Sequence, residues 1–207
     1  VYPGSAIRFL AKNTTVTAIS FDESRKYLSG AKNVVLTGNP VRESIINADR
    51  EKARAELNIG DEKLVLVVGG SLGAMKINDV LCDYLKSTRK ENVKFVISTG
   101  KRDFDRVKEN LNGVRNCGYF EILPYIHNMD TYLAAADLVI CRSGAITLSE
   151  ICALKKPSIL IPSPNVTHNH QEFNASALVK ESAAIMIKEN VFDKSSLSRA
   201  VDKLLDN

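Results

Sequence analysis

From Leu64 onward, short apolar β-rich runs alternate with longer amphipathic stretches, and no other feature of the chain limits its fold as strongly. The runs are Leu64-Val-Leu-Val-Val68, Val93-Lys-Phe-Val-Ile97, Leu138-Val-Ile-Cys141, Ser158-Ile-Leu-Ile161 and Ala183-Ala-Ile-Met-Ile187. Helices are expected between and after them, over residues 74–86, 102–110, 129–135, 146–154, 169–180 and 194–205. This order predicts an α/β domain with an open parallel sheet and crossover helices. Residues 15–19 and 34–37 read as two earlier strands, and no internal repeat interrupts the pattern.

The chain has 207 residues, 44% hydrophobic and 25% charged, which suits a sizeable core but is long for one ordinary domain. One full domain plus part of another is expected. The segment Gly38-Asn-Pro-Val-Arg42 marks the join, since Pro40 holds Asn39 extended and Gly38 loosens the chain before it. The boundary is placed near Asn39, giving units 1–39 and 40–207. Val1-Tyr-Pro-Gly4 has no initiator Met and runs into Arg8-Phe-Leu-Ala-Lys12 as though a helix were entered partway, so the chain reads as cut from a longer one.

Net charge is +4 and the isoelectric point near 8.8. The Lys and Arg residues are scattered, without aromatic interleaving or Trp, so nucleic acid is not an expected partner. Anionic small ligands or an acidic membrane surface suit this balance equally. Cys82, Cys117, Cys141 and Cys152 have no regular spacing and read as reduced thiols of a cytosolic protein. No signal peptide is present, and no apolar run approaches the ~20 residues of a membrane span, so any membrane contact is expected to be peripheral.

Ligands of open parallel sheets sit beyond the carboxyl ends of the strands. Four segments in that position carry unusual residues: 69–74, 124–129, 142–150 and 162–174. In Arg142-Ser-Gly-Ala-Ile-Thr-Leu-Ser-Glu150 a glycine turn opens a helix. Its unpaired N–H groups around Gly144 to Thr147 and the helix dipole favour a diphosphate, and Glu150 can accept both hydroxyls of a ribose. An ordinary strand-to-helix turn with a solvated acid remains an equal reading of this segment alone.

Gly69-Gly-Ser-Leu-Gly-Ala74 lacks the glycine spacing of dinucleotide folds and the Gly-Lys-Ser/Thr ending of a P-loop, so neither NAD nor ATP is favoured. It reads as a small-residue turn that lets a ligand approach the backbone, with Ser71 as a donor, or as a plain tight turn. Asp103-Phe-Asp105 is rejected as a metal pair, because it opens a helix, where Asp caps, and residues i and i+2 do not share a helix face. His168, His170 and Glu172 lack a metal-ligand spacing. Gln171 and Asn174 lie three apart on a helix, so their amides can converge on sugar hydroxyls. His127 reads as a loop histidine capping the next helix.

Taken in order, Gly38-Asn-Pro-Val-Arg42, Gly69-Gly-Ser-x-Gly-Ala74, Cys141-Arg-Ser-Gly-Ala-x-Thr-x-Ser-Glu150 and His170-Gln-x-x-Asn-Ala175 resemble the MurG family of UDP-N-acetylglucosamine transferases, glycosyltransferase family 28. The resemblance covers essentially the whole chain. It implies the Rossmann-like C-terminal half of a GT-B fold, with helices on both sheet faces, preceded by a remnant of the N-terminal acceptor domain. It also implies inverting transfer of N-acetylglucosamine from UDP-N-acetylglucosamine to a lipid-linked muramyl acceptor, giving lipid II, in a bacterial cytoplasmic enzyme peripheral to the inner face of the cell membrane.

By resemblance, the Ile126 backbone would pair with uracil, with Met129 near it. Ala145, Ile146 and Thr147 would give amides to the diphosphate, assisted by Ser71, and Glu150 would bind the ribose diol. Gln171 and Asn174 would read the hexosamine, and Arg42 would approach the donor from the cleft. Arg142 would either favour the diphosphate or hold its loop through an ion pair. No metal and no cofactor are implied, and no catalytic residue is expected here, since the family's proposed histidine base and acceptor loops belong to the N-terminal domain. The chain is accordingly expected to be inactive alone. Leu72 stands where the family usually has Gln, so that side-chain contact is lost. A glycolipid sugar transferase, a UDP-N-acetylglucosamine 2-epimerase and a noncatalytic transferase subunit share the fold and stay open as alternatives.

Overall fold

The computed structural model describes residues 2–70, 74–115, 118–166 and 169–206. Helix α1 (Ser5–Leu10) leads to a parallel pair, β1 (Thr17–Ile19) and β2 (Val34–Leu36). Two short helices follow, α2 (Glu43–Ile46) and α3 (Arg50–Glu56). The main alternation then runs β3 (Lys63–Val68), α4 (Met75–Ser87), β4 (Val93–Ser98), α5 (Phe104–Asn110), β5 (Phe120–Leu123), α6 (Met129–Ala135), β6 (Leu138–Cys141) and α7 (Ala145–Ala153). It finishes with β7 (Ser158–Leu160), α8 (His170–Lys180), β8 (Ile185–Met186) and α9 (Lys194–Leu205).

Strands β3 to β8 form one sheet in the order β5-β4-β3-β6-β7-β8, parallel at every pairing. Alternation along each strand sends side chains to two cores. Val65, Val67, Phe95, Ile97 and Ile140 pack beneath α4, α5 and α9. Leu64, Leu66, Val96, Val139 and Leu160 pack beneath α2, α3, α6, α7 and α8. The sheet is thus covered on both faces, as expected of a parallel sheet whose central strands are mostly apolar. Helix α4 shows how sequence makes a layer: Ile77, Val80, Leu81, Tyr84 and Leu85 are all buried, at the spacing of a single helix face. Burying each such side chain is worth about 1.5–3 kcal/mol, so this face far outweighs the helix's intrinsic propensity.

The residues before the linker have a small core of their own, Ala11, Ile19 and Leu28, with Phe21 reaching across to the second sheet face.

Several boundaries differ from the sequence expectation. Strand β5 and helices α2 and α3 were not expected. Asn169 adopts a left-handed conformation (φ 52°) ahead of α8 instead of beginning it, and β8 is reduced to two residues. Asp103 does stand before α5, but its side chain does not cap the helix. It is engaged by Arg106 and Asn78 instead. Cys82 and Cys141 are buried and Cys152 is exposed, while Cys117 lies outside the described residues.

Ser158 is 1% exposed, and among the described residues its Oγ has no hydrogen-bond partner. An unsatisfied buried hydroxyl costs stability, so Ser158→Ala is expected to stabilise the fold by up to about 1 kcal/mol in chemical denaturation. A loss of similar size would reveal a partner for the hydroxyl.

Candidate functional site

Strand order decides which loops meet. From β3 the chain moves outward through β4 and β5, then returns to place β6 on the other side of β3. The reversal opens a crevice between the loops leaving β3 and β6, the usual ligand position in such sheets. Val68 pairs with Cys141, so Gly69 and Arg142 leave the sheet at the same level. A cleft of about 760 Å³ lies there, lined by Gly70, Lys76, Arg142, Thr147, Gln171 and Glu189 among others. Gly70 has φ +92° with nothing within 4 Å of an added Cβ, so conformation, not crowding, calls for glycine.

Gly144 answers a different need. Its φ of −67° suits any residue, and an added Cβ would meet Thr147 Oγ1 at only 3.8 Å. Its effect is to leave the first turn of α7 uncovered. Among the described residues no side chain caps this helix, and its first internal bond runs from Leu148 N–H to Gly144 C=O at 3.0 Å. Among the described residues the amides of Ala145, Ile146 and Thr147 therefore have no acceptor, and the positive end of the helix lies with them. Ile146 is 62% exposed.

The flank of α7 is fastened to the linker. Arg42 Nη2 and Nε donate to Glu150 Oε1 at 3.1 and 3.3 Å. Asn39 Nδ2 donates to Ala145 C=O at 3.2 Å and to Ser149 Oγ at 3.0 Å, while Asn39 Oδ1 accepts from Ser20 Oγ. Glu150 lies one turn along from Thr147, largely buried, and is not part of the cleft wall.

The remaining expected site residues separate into groups. Arg142 is committed: Nη1 donates to the Ile161 and Pro162 carbonyls at 3.1 and 3.2 Å, and Nη2 pairs with Glu189. Of its two sequence readings, the ion pair that holds the loop is the one the geometry displays. Gln171 lines the cleft, with its Oε1 accepting from Ser163 N–H at 2.9 Å. Asn174 is 2% exposed and donates to Ser143 C=O at 3.1 Å. The two amides do not converge, because Asn174 is turned inward to brace the loop before α7. Ile126 is buried in the second core, and Met129 packs against that core. Among the described residues neither N–H nor C=O of Ile126 is hydrogen bonded, so its backbone can pair with a ligand. Ser71 and Leu72 lie outside the described residues, as does His168. His127 does not cap α6; its ring meets Tyr125 edge-on at 4.8 Å.

Sequence reasoning passed over Met75, Lys76, Asp79 and Glu189, all of which line the cleft. Lys76 had a signal, a basic residue just inside a helix that follows a glycine-rich loop. Glu189 had none, since only the fold brings it to Arg142. At the base of the loop, burial pushes the Cys141 thiol up to about 12, so it stays protonated and is no nucleophile.

An all-parallel sheet whose crevice is flanked by an uncovered helix start and a glycine-rich turn defines a Rossmann-like ligand-binding domain. Residues 64–207 match the model of the glycosyltransferase family 28 C-terminal domain, and the chain belongs to that family. A protein of Ruminiclostridium cellulolyticum is 39% identical over 208 residues, covering 100% of this chain and 57% of its own length. It is named UDP-N-acetylglucosamine--N-acetylmuramyl-(pentapeptide) pyrophosphoryl-undecaprenol N-acetylglucosamine transferase. A protein of the same name from Caldanaerobacter subterraneus subsp. tengcongensis is 42% identical over 207 residues, covering 99% of this chain and 57% of its own. The crystal structure of Acinetobacter baumannii MurG superposes with a TM-score of 0.76 at 23% identity, covering 99% of this chain and 55% of that one, which shows the shared fold. The chain thus spans little more than half the length of the curated relatives it matches.

Proposed function

We propose that the chain is the donor-binding part of an inverting transferase that moves N-acetylglucosamine from UDP-N-acetylglucosamine to a lipid-linked muramyl acceptor, forming lipid II. The observation that carries this is the uncovered first turn of α7, with three amides that have no acceptor among the described residues beside the crevice. The relatives' shared name supplies the substrates. In this reading residues 40–207 form the donor domain and residues 1–39 belong to the acceptor domain, whose remaining part supplies the general base and the acceptor contacts. The full enzyme acts in the bacterial cytoplasm, peripheral to the inner membrane face, with no nucleic-acid partner.

The chemistry follows from the site. The acceptor hydroxyl attacks the anomeric carbon, the bond to the diphosphate oxygen breaks, and UDP departs. Negative charge grows on the leaving oxygen. Preoriented N–H groups of Ala145, Ile146 and Thr147 stabilise that charge without reorganising, and removing one such donor in a comparable site costs about 2.7–4 kcal/mol of barrier. The Ile126 backbone receives the uracil, Glu150 the ribose diol and Gln171 the hexosamine, while Asn174 holds the Ser143–Gly144 turn in place. Arg42 gives up Glu150 when the ribose arrives.

Calorimetric titration of the chain with UDP-N-acetylglucosamine, UDP-glucose and UDP tests the reading. Preference for the N-acetylglucosamine donor is expected. Equal binding of both sugars would favour the glycolipid transferase, and binding of no uridine nucleotide would overturn the proposal.

A further inference from the structure

We infer that Lys76, and not either arginine of the site, supplies the positive charge that meets the donor's diphosphate. This rests on the donor-binding reading above. The cleft and its immediate flank hold three cations that could serve. Arg142 lies in the wall, but its guanidinium is occupied by two carbonyls and the Glu189 carboxylate. An ion-paired guanidinium cannot turn to a ligand without leaving Glu189, also in the wall, with an uncompensated charge. Arg42, although a ribose on Glu150 would release it from that carboxylate, is not in the cleft wall.

Lys76 is the second residue of α4, exposed, and part of the cleft wall. Among the described residues its ammonium makes no ion pair and no hydrogen bond. Asp79, one turn further on and the natural partner for it, is taken by Arg106 Nη1 at 2.6 Å. Lys76 therefore stands in the crevice opposite the uncovered start of α7, at the positive end of its own helix. Asp79 and Glu189, the carboxylates of the wall, are each engaged by an arginine, so two helix starts and one unpaired ammonium are left to face an anion in this space. A flexible lysine suits this role, because it can follow the diphosphate from bound sugar nucleotide to departing UDP without breaking any internal pair.

Titrations of the chain with UDP, UMP and uridine at two ionic strengths, for the unaltered protein and for Lys76→Gln, Lys76→Arg and Arg142→Gln, provide the test. Lys76→Gln is expected to weaken UDP about tenfold, the loss of one charge-assisted contact, while uridine changes by less than about twofold. It should also flatten the salt dependence of UDP binding, and Lys76→Arg should restore most of the affinity. Arg142→Gln should weaken all three ligands together and lower thermal stability, since it releases the loops. Unchanged UDP affinity in Lys76→Gln, with the unaltered chain still binding UDP, overturns this inference and leaves the donor reading standing. Failure of the unaltered chain to bind UDP overturns both and is seen before any substitution is made.

Discussion

Glu150→Ala is expected to lower the affinity of the chain for UDP-N-acetylglucosamine by roughly 100-fold while barely changing its stability. Two hydrogen bonds from ribose hydroxyls to a carboxylate are worth about 1.5–3 kcal/mol each, and competition from Arg42 for the same oxygens brings the net to about 3 kcal/mol. At about 1.4 kcal/mol per decade this is two orders of magnitude. The folded state loses far less. The Arg42 side chain is 55% exposed, so its guanidinium returns to water when Glu150 is removed, and such pairs contribute about 0–1 kcal/mol. Calorimetric titration paired with thermal unfolding separates the two effects. Glu150→Gln should fall between, since it keeps the shape and one acceptor but not the charge. Donor affinity unchanged in Glu150→Ala would remove the ribose contact from the proposed site.

The largest stability effect is expected at the other end of the sheet. Asp137 accepts Arg50 Nη2 at 2.7 Å, Arg54 Nη1 at 3.2 Å and the Leu64 N–H at 2.8 Å. Its own N–H donates to Leu64 C=O at 2.9 Å, so it closes the start of the β3–β6 ladder and ties α3 to it. The Arg54 side chain is only 11% exposed and cannot return to water. Asp137→Ala would leave that charge with only the Ala135, Gly60 and Glu62 carbonyls and no carboxylate, and a strand N–H without its acceptor, costing about 3 kcal/mol in denaturant unfolding. Asp137→Asn should cost less, because its amide oxygen can still accept from Leu64. A change below about 1 kcal/mol in Asp137→Ala would show that the backbone carbonyls around Arg54 suffice to hold its charge.

The same carboxylate sets part of the acid limit. Burial alone would raise its pKa, but the Leu64 N–H and the two guanidiniums outweigh burial and hold it below the ordinary 3.8. A depressed carboxylate stabilises the fold above its ordinary pKa and loses that contribution as pH falls through the folded value. Stability should therefore drop below about pH 4, and Asp137→Asn should lack this component. Lys156 nearby behaves in the opposite sense. Burial and Arg50 press it down to about 8, so the unfolded chain holds more protons between there and the ordinary 10.5, and stability from this group rises with pH in that window.

The sheet was legible because β3, β4, β6 and β7 are buried on both faces over most of their length and carry apolar runs broken inside only at Lys94. Strand β5 was not, since it is four residues at the sheet edge, contains Glu121 and runs into Pro124. Helix α2, of four residues, is too short to display a helical period, and α3 buries only Ala53 among charged neighbours, so contacts with α6 and α7 hold them in place. The ligand loops could be named from their glycines and polar residues, but which of them meet depends on β6 lying beside β3, a fact of strand order with no local trace. Charges carry the same ambiguity. Nothing near Arg142 in sequence announces Glu189, and nothing near Lys76 announces that Arg106 draws Asp79 away.

The bonds that join Asn39 and Arg42 to α7 give the linker a mechanical role. Any swing of the segment before the linker pulls on Ser20 and Asn39, and so on the carbonyl of Ala145 and the hydroxyl of Ser149. A ligand that claims Glu150 must in turn release Arg42 from it. Such coupling is reciprocal, so the linker works as a lever with two handles: what fills the crevice biases the angle of the neighbouring segment, and whatever fixes that angle retunes the grip on the ligand by the same free energy.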